Sequence, residues 1–216
     1  FSCPFRFYLK YILNIEEKME DNNSTFVGRM YHFVLEKVVA KRYIDRRTKE
    51  EVLENISVYI CDFVKNQTYE IKDKLKFYLN KFSEELKLIV EIIMDFMDHS
   101  SFEVLGLEQK LEKQLDDYTV VVGLIDKILK YQEYYLVIDY KTNPVHPNWY
   151  ALDVGLDLQL PLYLYLIKAN DPNAKIAGSY LQSVFRTSLL KYEDKPLSKV
   201  MLEQLKYVGY TLQDRD

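Results

Sequence analysis

VVGLIDKILKYQEYYLVIDYKT, residues Val121 to Thr142, is the stretch that decides how this chain folds. Two runs rich in β-branched and aromatic residues flank a polar break at Tyr131 to Glu133, the pattern of an antiparallel hairpin. With the turn there, residues whose numbers sum to about 265 face one another, which sets Asp126 across from Asp139. Each is a lone carboxylate in an apolar run. Facing residues have Cβ atoms about 4.5–5.5 Å apart, and like charges at that distance repel unless something neutralises them. A divalent cation is the natural neutraliser. Lys141 lies two residues beyond Asp139, so strand alternation puts both on one face and Tyr140 on the other. Two hard oxygen ligands with room for water suit Mg²⁺ or Mn²⁺. An activated water with an ammonium beside it is the minimum set for hydrolysing a phosphodiester.

The plainer reading makes Asp126 and Lys141 a surface ion pair and Asp139 a strand end. Burial is what separates the two. Val120, Val122 and Leu124 alternate with Val121 and Ile125, so both faces of this strand are apolar and the sheet is expected to be covered on each side, with the acids not simply solvated.

Outward from the hairpin, strand-like runs are expected near 104–115, 119–130 and 134–142, three consecutive antiparallel strands. Pro144 and Pro147 end the third. Trp149 starts a segment with helical spacing through Leu156, Leu160, Tyr163, Leu164 and Ile167, and a last strand is expected at Ile176 to Phe185. Before His99 the apolar positions recur at three and four, as in Val27, Tyr31, Val34, Leu35 and Val38. Ser24 and Thr25 offer an N-cap after a loop at Asp21 to Asn23. The result is an α/β fold with a mixed sheet and flanking helices, 1–100 a helical portion and 101–216 an α/β core, read as one continuous domain.

A chain of 216 residues with 48% hydrophobic and 29% charged residues has the balance of a soluble globular protein. The longest apolar stretch, Leu160 to Ile167, is too short for a bilayer, and no secretory signal opens the chain. Two cysteines, Cys3 and Cys61, fit a reducing compartment, here the cytoplasm, and a start without Met suggests a fragment of something longer. A net charge of -4 argues against holding nucleic acid by bulk electrostatics.

Laid out in this way, several segments resemble the RecB-like branch of the PD-(D/E)XK nucleases, most closely the nuclease domain of AddB-type helicase–nuclease subunits. SCPFRFYLKYIL (Ser2 to Leu13) looks like the entry segment and GRMYH (Gly28 to His32) like the Gly-x-x-x-His helix. GLIDKI (Gly123 to Ile128) and IDYKT (Ile138 to Thr142) resemble the two catalytic strands. LQLPLY (Leu158 to Tyr163) looks like the Gln-x-x-x-Tyr helix, and YVGYTLQD (Tyr207 to Asp214) resembles a late segment of the AddB-type domain. The matches run in the family's order along the whole chain.

The resemblance implies a restriction-endonuclease-like core. It also implies that His32, Asp126, Asp139 and the backbone carbonyl of Tyr140 bind Mg²⁺ or Mn²⁺, with Lys141 positioning or activating the attacking water. Gln159 and Tyr163, four apart on one helix face, would reach the site or the DNA backbone; packing alone also accounts for Tyr163, whereas an amide within QLPLYLYL needs a partner. DNA, single strands in particular, and a helicase domain or subunit are the implied partners, in recombination or repair. Many relatives hold an iron–sulfur cluster with one early and three late cysteines. Cys3 matches the early one, but no cysteine follows Cys61, so this chain cannot complete the cluster. Either the lineage lacks it or the later ligands lie beyond this sequence. Cys61 itself reads as a small core residue. Glu108 and Glu112 read as solvated strand-edge charges and stay outside the site. A silent DNA-binding or scaffold module and a CRISPR-associated nuclease of the same superfamily are the competing functions.

Overall fold

A computed structural model describes residues 4–14, 23–67, 73–143, 148–184 and 197–211. Cys3, Pro144, Pro147 and the end of the YVGYTLQD segment lie outside them. A short helix α1 (Pro4–Phe7) runs into a π-helical turn at Tyr8–Ile12. Four helices follow: α2 (Asn23–Val39), α3 (Lys49–Glu54), α4 (Ile56–Lys65) and the long α5 (Asp73–Asp98). α2 starts at Asn23, so Ser24 and Thr25 fall inside its first turn rather than capping it. Thr48 instead caps α3 in a full capping box with Glu51.

The sheet comes next, with β1 (Glu103–Gln114), β2 (Val120–Tyr131) and β3 (Tyr134–Lys141) as consecutive antiparallel strands. Beyond them lie α6 (Trp149–Asp153), α7 (Gln159–Asn170), β4 (Lys175–Ser183), α8 (Leu197–Gln204) and β5 (Tyr207–Thr211). β4 pairs parallel to β3 and β5 antiparallel to β4, giving a mixed sheet in the order β1-β2-β3-β4-β5. This is a restriction-endonuclease-like arrangement. The expected single helix after Trp149 is two. Gly155, at φ 74, sits where only a left-handed residue closes the turn. Its N–H reaches the Leu152 carbonyl at 2.9 Å and the Leu156 N–H reaches Ala151 at 2.7 Å, which ends α6 and frees the chain to restart at Gln159.

Two cores flank the sheet. On one face Leu129, Ile138 and Tyr140 pack against Tyr31, Val34, Leu35, Ile89, Ile93 and Met94 of the helical layer. On the other, Ile128, Val137 and Leu181 meet Leu160, Tyr163 and Ile167 of α7. Central β2 and β3 are therefore covered on both faces over most of their length. The outer part of β2 is not: Val120, Val122 and Leu124 are each about half exposed, at 52%, 53% and 52%. The expectation of two covered faces fails there, because α7 covers the Gly123 and Ile125 side while the helical layer stops short of the other. Cys61 is exposed, not a core residue. In α4 the inward positions are Ile56, Ile60 and Phe63, and Cys61 is rotated about 100° from Ile60.

Among the described residues no helix is long and apolar enough to cross a membrane.

Candidate active site

The β2–β3 ladder pairs Tyr131 with Tyr134, Lys130 with Tyr135 and onward to Lys127 with Ile138, around a turn at Gln132 and Glu133. Each pair sums to 265, the register expected. The next step would join Asp126 to Asp139, and there a side chain takes over: Asp126 Oδ2 accepts from the Tyr140 backbone N–H at 2.6 Å. Both acids are buried, at 8% and 3% exposure.

Asp139 is held from several sides. Its Oδ1 accepts from Gln159 Nε2 at 2.7 Å and from the Tyr163 hydroxyl at 3.2 Å. Its Oδ2 lies 2.6 Å from Lys141 Nζ in an ion pair. Lys141 Nζ donates to Gln159 Oε1 at 2.8 Å, and Gln159 also donates to Tyr163 at 2.8 Å. The amide that lacked a structural reason in QLPLYLYL thus joins acid, lysine and tyrosine. It stands at the first position of α7, with Pro161 two residues on in the first turn, where a missing N–H costs nothing. The polar atoms of Gln159 and Tyr163 are directed at Asp139 and Lys141, and Tyr163 is buried.

His32 comes from the helical layer. A Cβ at Gly28, one turn earlier in α2, would come within 3.4 Å of Thr142 Oγ1, so the helix passes close to the end of β3. His32 Nδ1 lies 3.3 Å from Asp126 Oδ2 and 3.9 Å from Glu108 Oε1. Glu108, read from sequence as a solvated edge charge, faces the site instead. It adopts φ 44, a left-handed conformation unusual for a glutamate, just past a register shift between Val104 and Gly106. The ligand atoms of His32, Glu108 and Asp126 all lie within 4.8 Å of one another. Glu112 faces solvent with Lys110 at 3.4 Å.

The electrostatics agree with the geometry. Burial raises the Asp139 carboxyl above its ordinary range, and the Asp126 charge adds to this against the opposing Lys141 and Tyr163. Burial and the Asp126 charge likewise raise Glu108. For His32, burial works against the imidazolium, but the hydrogen bond to Asp126 and the surrounding carboxylates outweigh it and the net shift is upward. Three carboxylates thus crowd one volume with too little positive charge. Two carboxylate ligands with one imidazole, from Glu108, Asp126 and His32, fit a hard divalent cation. An open cleft of about 500 Å³, lined by Gly28, Arg29, His32, Glu108, Leu124 and Asp126, gives access. Beside Asp126 in β2, Lys127 is fully buried against the helical layer, and burial pushes its ammonium down to about 7 against the pull of Asp126.

The family model for the PD-(D/E)XK nuclease superfamily matches residues 1–214. The chain belongs to the PD-(D/E)XK nuclease superfamily. Within it, the chain is similar to an ATP-dependent helicase/deoxyribonuclease subunit of Lactococcus lactis subsp. cremoris strain SK11, at 25% identity over 99% of this chain and 20% of that protein. The exonuclease/helicase subunit RexB of strain MG1363 matches at 25% over the same shares. An ATP-dependent helicase/deoxyribonuclease subunit of Carboxydothermus hydrogenoformans matches at 23% over 100% of this chain and 23% of its own length. The chain thus spans about a fifth of the length of these relatives.

Proposed function

We propose that this domain is a Mg²⁺- or Mn²⁺-dependent deoxyribonuclease that hydrolyses DNA phosphodiesters. The observation that carries the reading is the cluster of His32, Glu108 and Asp126 beside an open cleft, with Asp139, itself paired to Lys141, close enough to feel the Asp126 charge. His32, Asp126 and Asp139 would hold the cation with the Tyr140 carbonyl, and Glu108 joins that set. When bound, the cation supplies an acidified, oriented water and neutralises charge on the phosphate.

The chain's own residues do the rest. Lys141, fixed between Asp139 and Gln159 but about one third exposed, presents its ammonium to the water and to charge developing on the phosphate. Gln159 and Tyr163 hold Asp139 and Lys141 at that spacing, and any contact they make with DNA is made from these positions. His32 and Glu108 bring Asp126 its remaining partners. Names of relatives as helicase–deoxyribonuclease and exonuclease–helicase subunits support DNA as the substrate, exonucleolytic cutting and a helicase as partner.

The test is cleavage of end-labelled single- and double-stranded DNA with Mg²⁺, Mn²⁺ or EDTA, for the wild type, Asp139→Ala and Lys141→Ala. Metal-dependent cutting by the wild type and none by the variants is expected. Cutting that survives both substitutions refutes the assignment.

A further inference from the structure

Next to Asp126 in β2, on the face covered by the helical layer, lies a lysine that the chemistry above does not use. Lys127 follows Asp126 in β2 and is 0% exposed, packed against Met97 of the helical layer. Its Nζ donates to a sulfur, Met97 Sδ at 3.8 Å, one of the weakest acceptors a protein offers. A leucine or methionine would fill this apolar space without the desolvation cost of an amine. What the lysine has there is an aromatic face: Nζ sits 4.9 Å from the centre of the Tyr140 ring. Both the ammonium and the neutral amine direct N–H at such a face.

The position of this contact matters because of where the ladder stops. Lys127 pairs with Ile138, and Tyr140 is the diagonal neighbour two residues further on the same face. Past that pair, β2 and β3 are joined by two links that both end on Tyr140. Its N–H donates to Asp126 Oδ2 at 2.6 Å, and its ring receives Lys127 and lies 6.2 Å from the His32 ring.

We propose that Lys127 is a positioning residue of the cation site, its amino group seated on the Tyr140 ring so that the Tyr140 backbone and the Asp126 carboxylate keep the spacing a cation needs. This rests on the nuclease reading above. Groups that hold metal ligands in place are worth about 10–100-fold in metal affinity.

The test compares the wild type with Lys127→Met and Lys127→Arg, reading free Mn²⁺ by electron paramagnetic resonance and the Mg²⁺ concentration for half-maximal cleavage. Lys127→Met, which keeps length and volume, is expected to bind Mn²⁺ about tenfold more weakly and to need correspondingly more Mg²⁺. Its melting temperature in EDTA should not fall. Arginine also stacks on aromatic faces and should recover most of the loss. Unchanged Mn²⁺ affinity in Lys127→Met, with a wild type that binds and cuts, overturns this proposal alone. A wild type that neither binds Mn²⁺ nor cuts overturns the nuclease reading and this proposal with it. Should Lys127→Met fail to fold, Tyr140→Leu decides, since it removes the ring and keeps the backbone: tenfold weaker Mn²⁺ binding supports the proposal and unchanged binding overturns it.

Discussion

Replacing Glu108 by glycine should make the metal-free protein more stable and the metal-loaded one less so. Glu108 holds a left-handed backbone, φ 44, which costs an L-residue about 1–2 kcal/mol. Glycine removes that strain but gives back about 0.5–1 kcal/mol in unfolded-chain entropy, a net gain near 0.5–1 kcal/mol. Removing a carboxylate whose pKa is raised by burial and then by the Asp126 charge relieves desolvation and repulsion in the same direction. For a domain of this size the gain corresponds to a melting temperature higher by about 1–4 °C in EDTA. With Mn²⁺ at a hundred times the wild-type dissociation constant, binding stabilises the wild type by about 2.7 kcal/mol. A tenfold loss of affinity in the variant removes about 1.4 kcal/mol of this, more than the strain relief returns. The two melting curves should therefore change order between EDTA and Mn²⁺. Differential scanning fluorimetry or circular dichroism at both conditions measures it. A variant that melts below the wild type in EDTA, or one with the full Mn²⁺-induced rise, would refute the view that Glu108 is strained for the sake of the cation site.

Lys141→Met should lower cleavage at saturating Mg²⁺ by about 10²–10³-fold while leaving the fold intact, since its charge acts on the reacting phosphate; a loss below tenfold in single-turnover assays argues against that role. A Cβ at Gly123 would lie 2.7 Å from Leu166 Cδ1 and 3.2 Å from Tyr163 Cδ1, so Gly123→Ala should cost about 1–3 kcal/mol and, by displacing Tyr163 from Asp139, slow cleavage as well. Urea unfolding and the cleavage rate check the two parts, and an unchanged midpoint would mean that α7 does not sit this close. Lys127 is held at about 7 in the fold against 10.5 in the unfolded chain, so between these values the unfolded state binds the extra proton and stability rises with pH. The rise is at most about 1.4 kcal/mol per pH unit in EDTA and should be absent in Lys127→Met; parallel slopes for the two proteins contradict it.

Hairpin register was legible because the polar break at Tyr131 to Glu133 between two apolar runs fixes which residues face one another, and the structure, with its turn at Gln132 and Glu133, keeps the pairs that sum to 265. Gln159 was legible for a related reason, an amide with no place in an apolar helix, and it proves to bond acid, lysine and tyrosine at once. Cys61 was misread although the helical period held the answer, since it lies a third of a turn from the buried Ile60. β5 went unforeseen as a strand because its five residues gain their structure from a non-local pairing with β4. The aliphatic stripe Val120, Val122 and Leu124 shows the limit of pattern itself: apolar alternation tells which faces are apolar, not which ones an element of the same chain covers.

Glu108 is the instructive miss. Alternation assigned it to an exposed strand edge, and with regular pleating it would have stayed there. What turns it inward is the break in regularity, a register shift marked in the sequence by Gly106 and followed by a left-handed residue that is not marked, because the residue that adopts φ 44 is a glutamate and not a glycine. The positions of Asp126, Asp139 and Lys141 follow from the periodic part of β2 and β3, whereas Glu108 joins them through the aperiodic part of β1. Local rules therefore place residues best where they obey the strand's period, and they fail where the backbone bends out of it. If the strain at Glu108 is maintained for the cation, the bend and the charge crowding belong together: each destabilises the empty site, and cation binding would offset both.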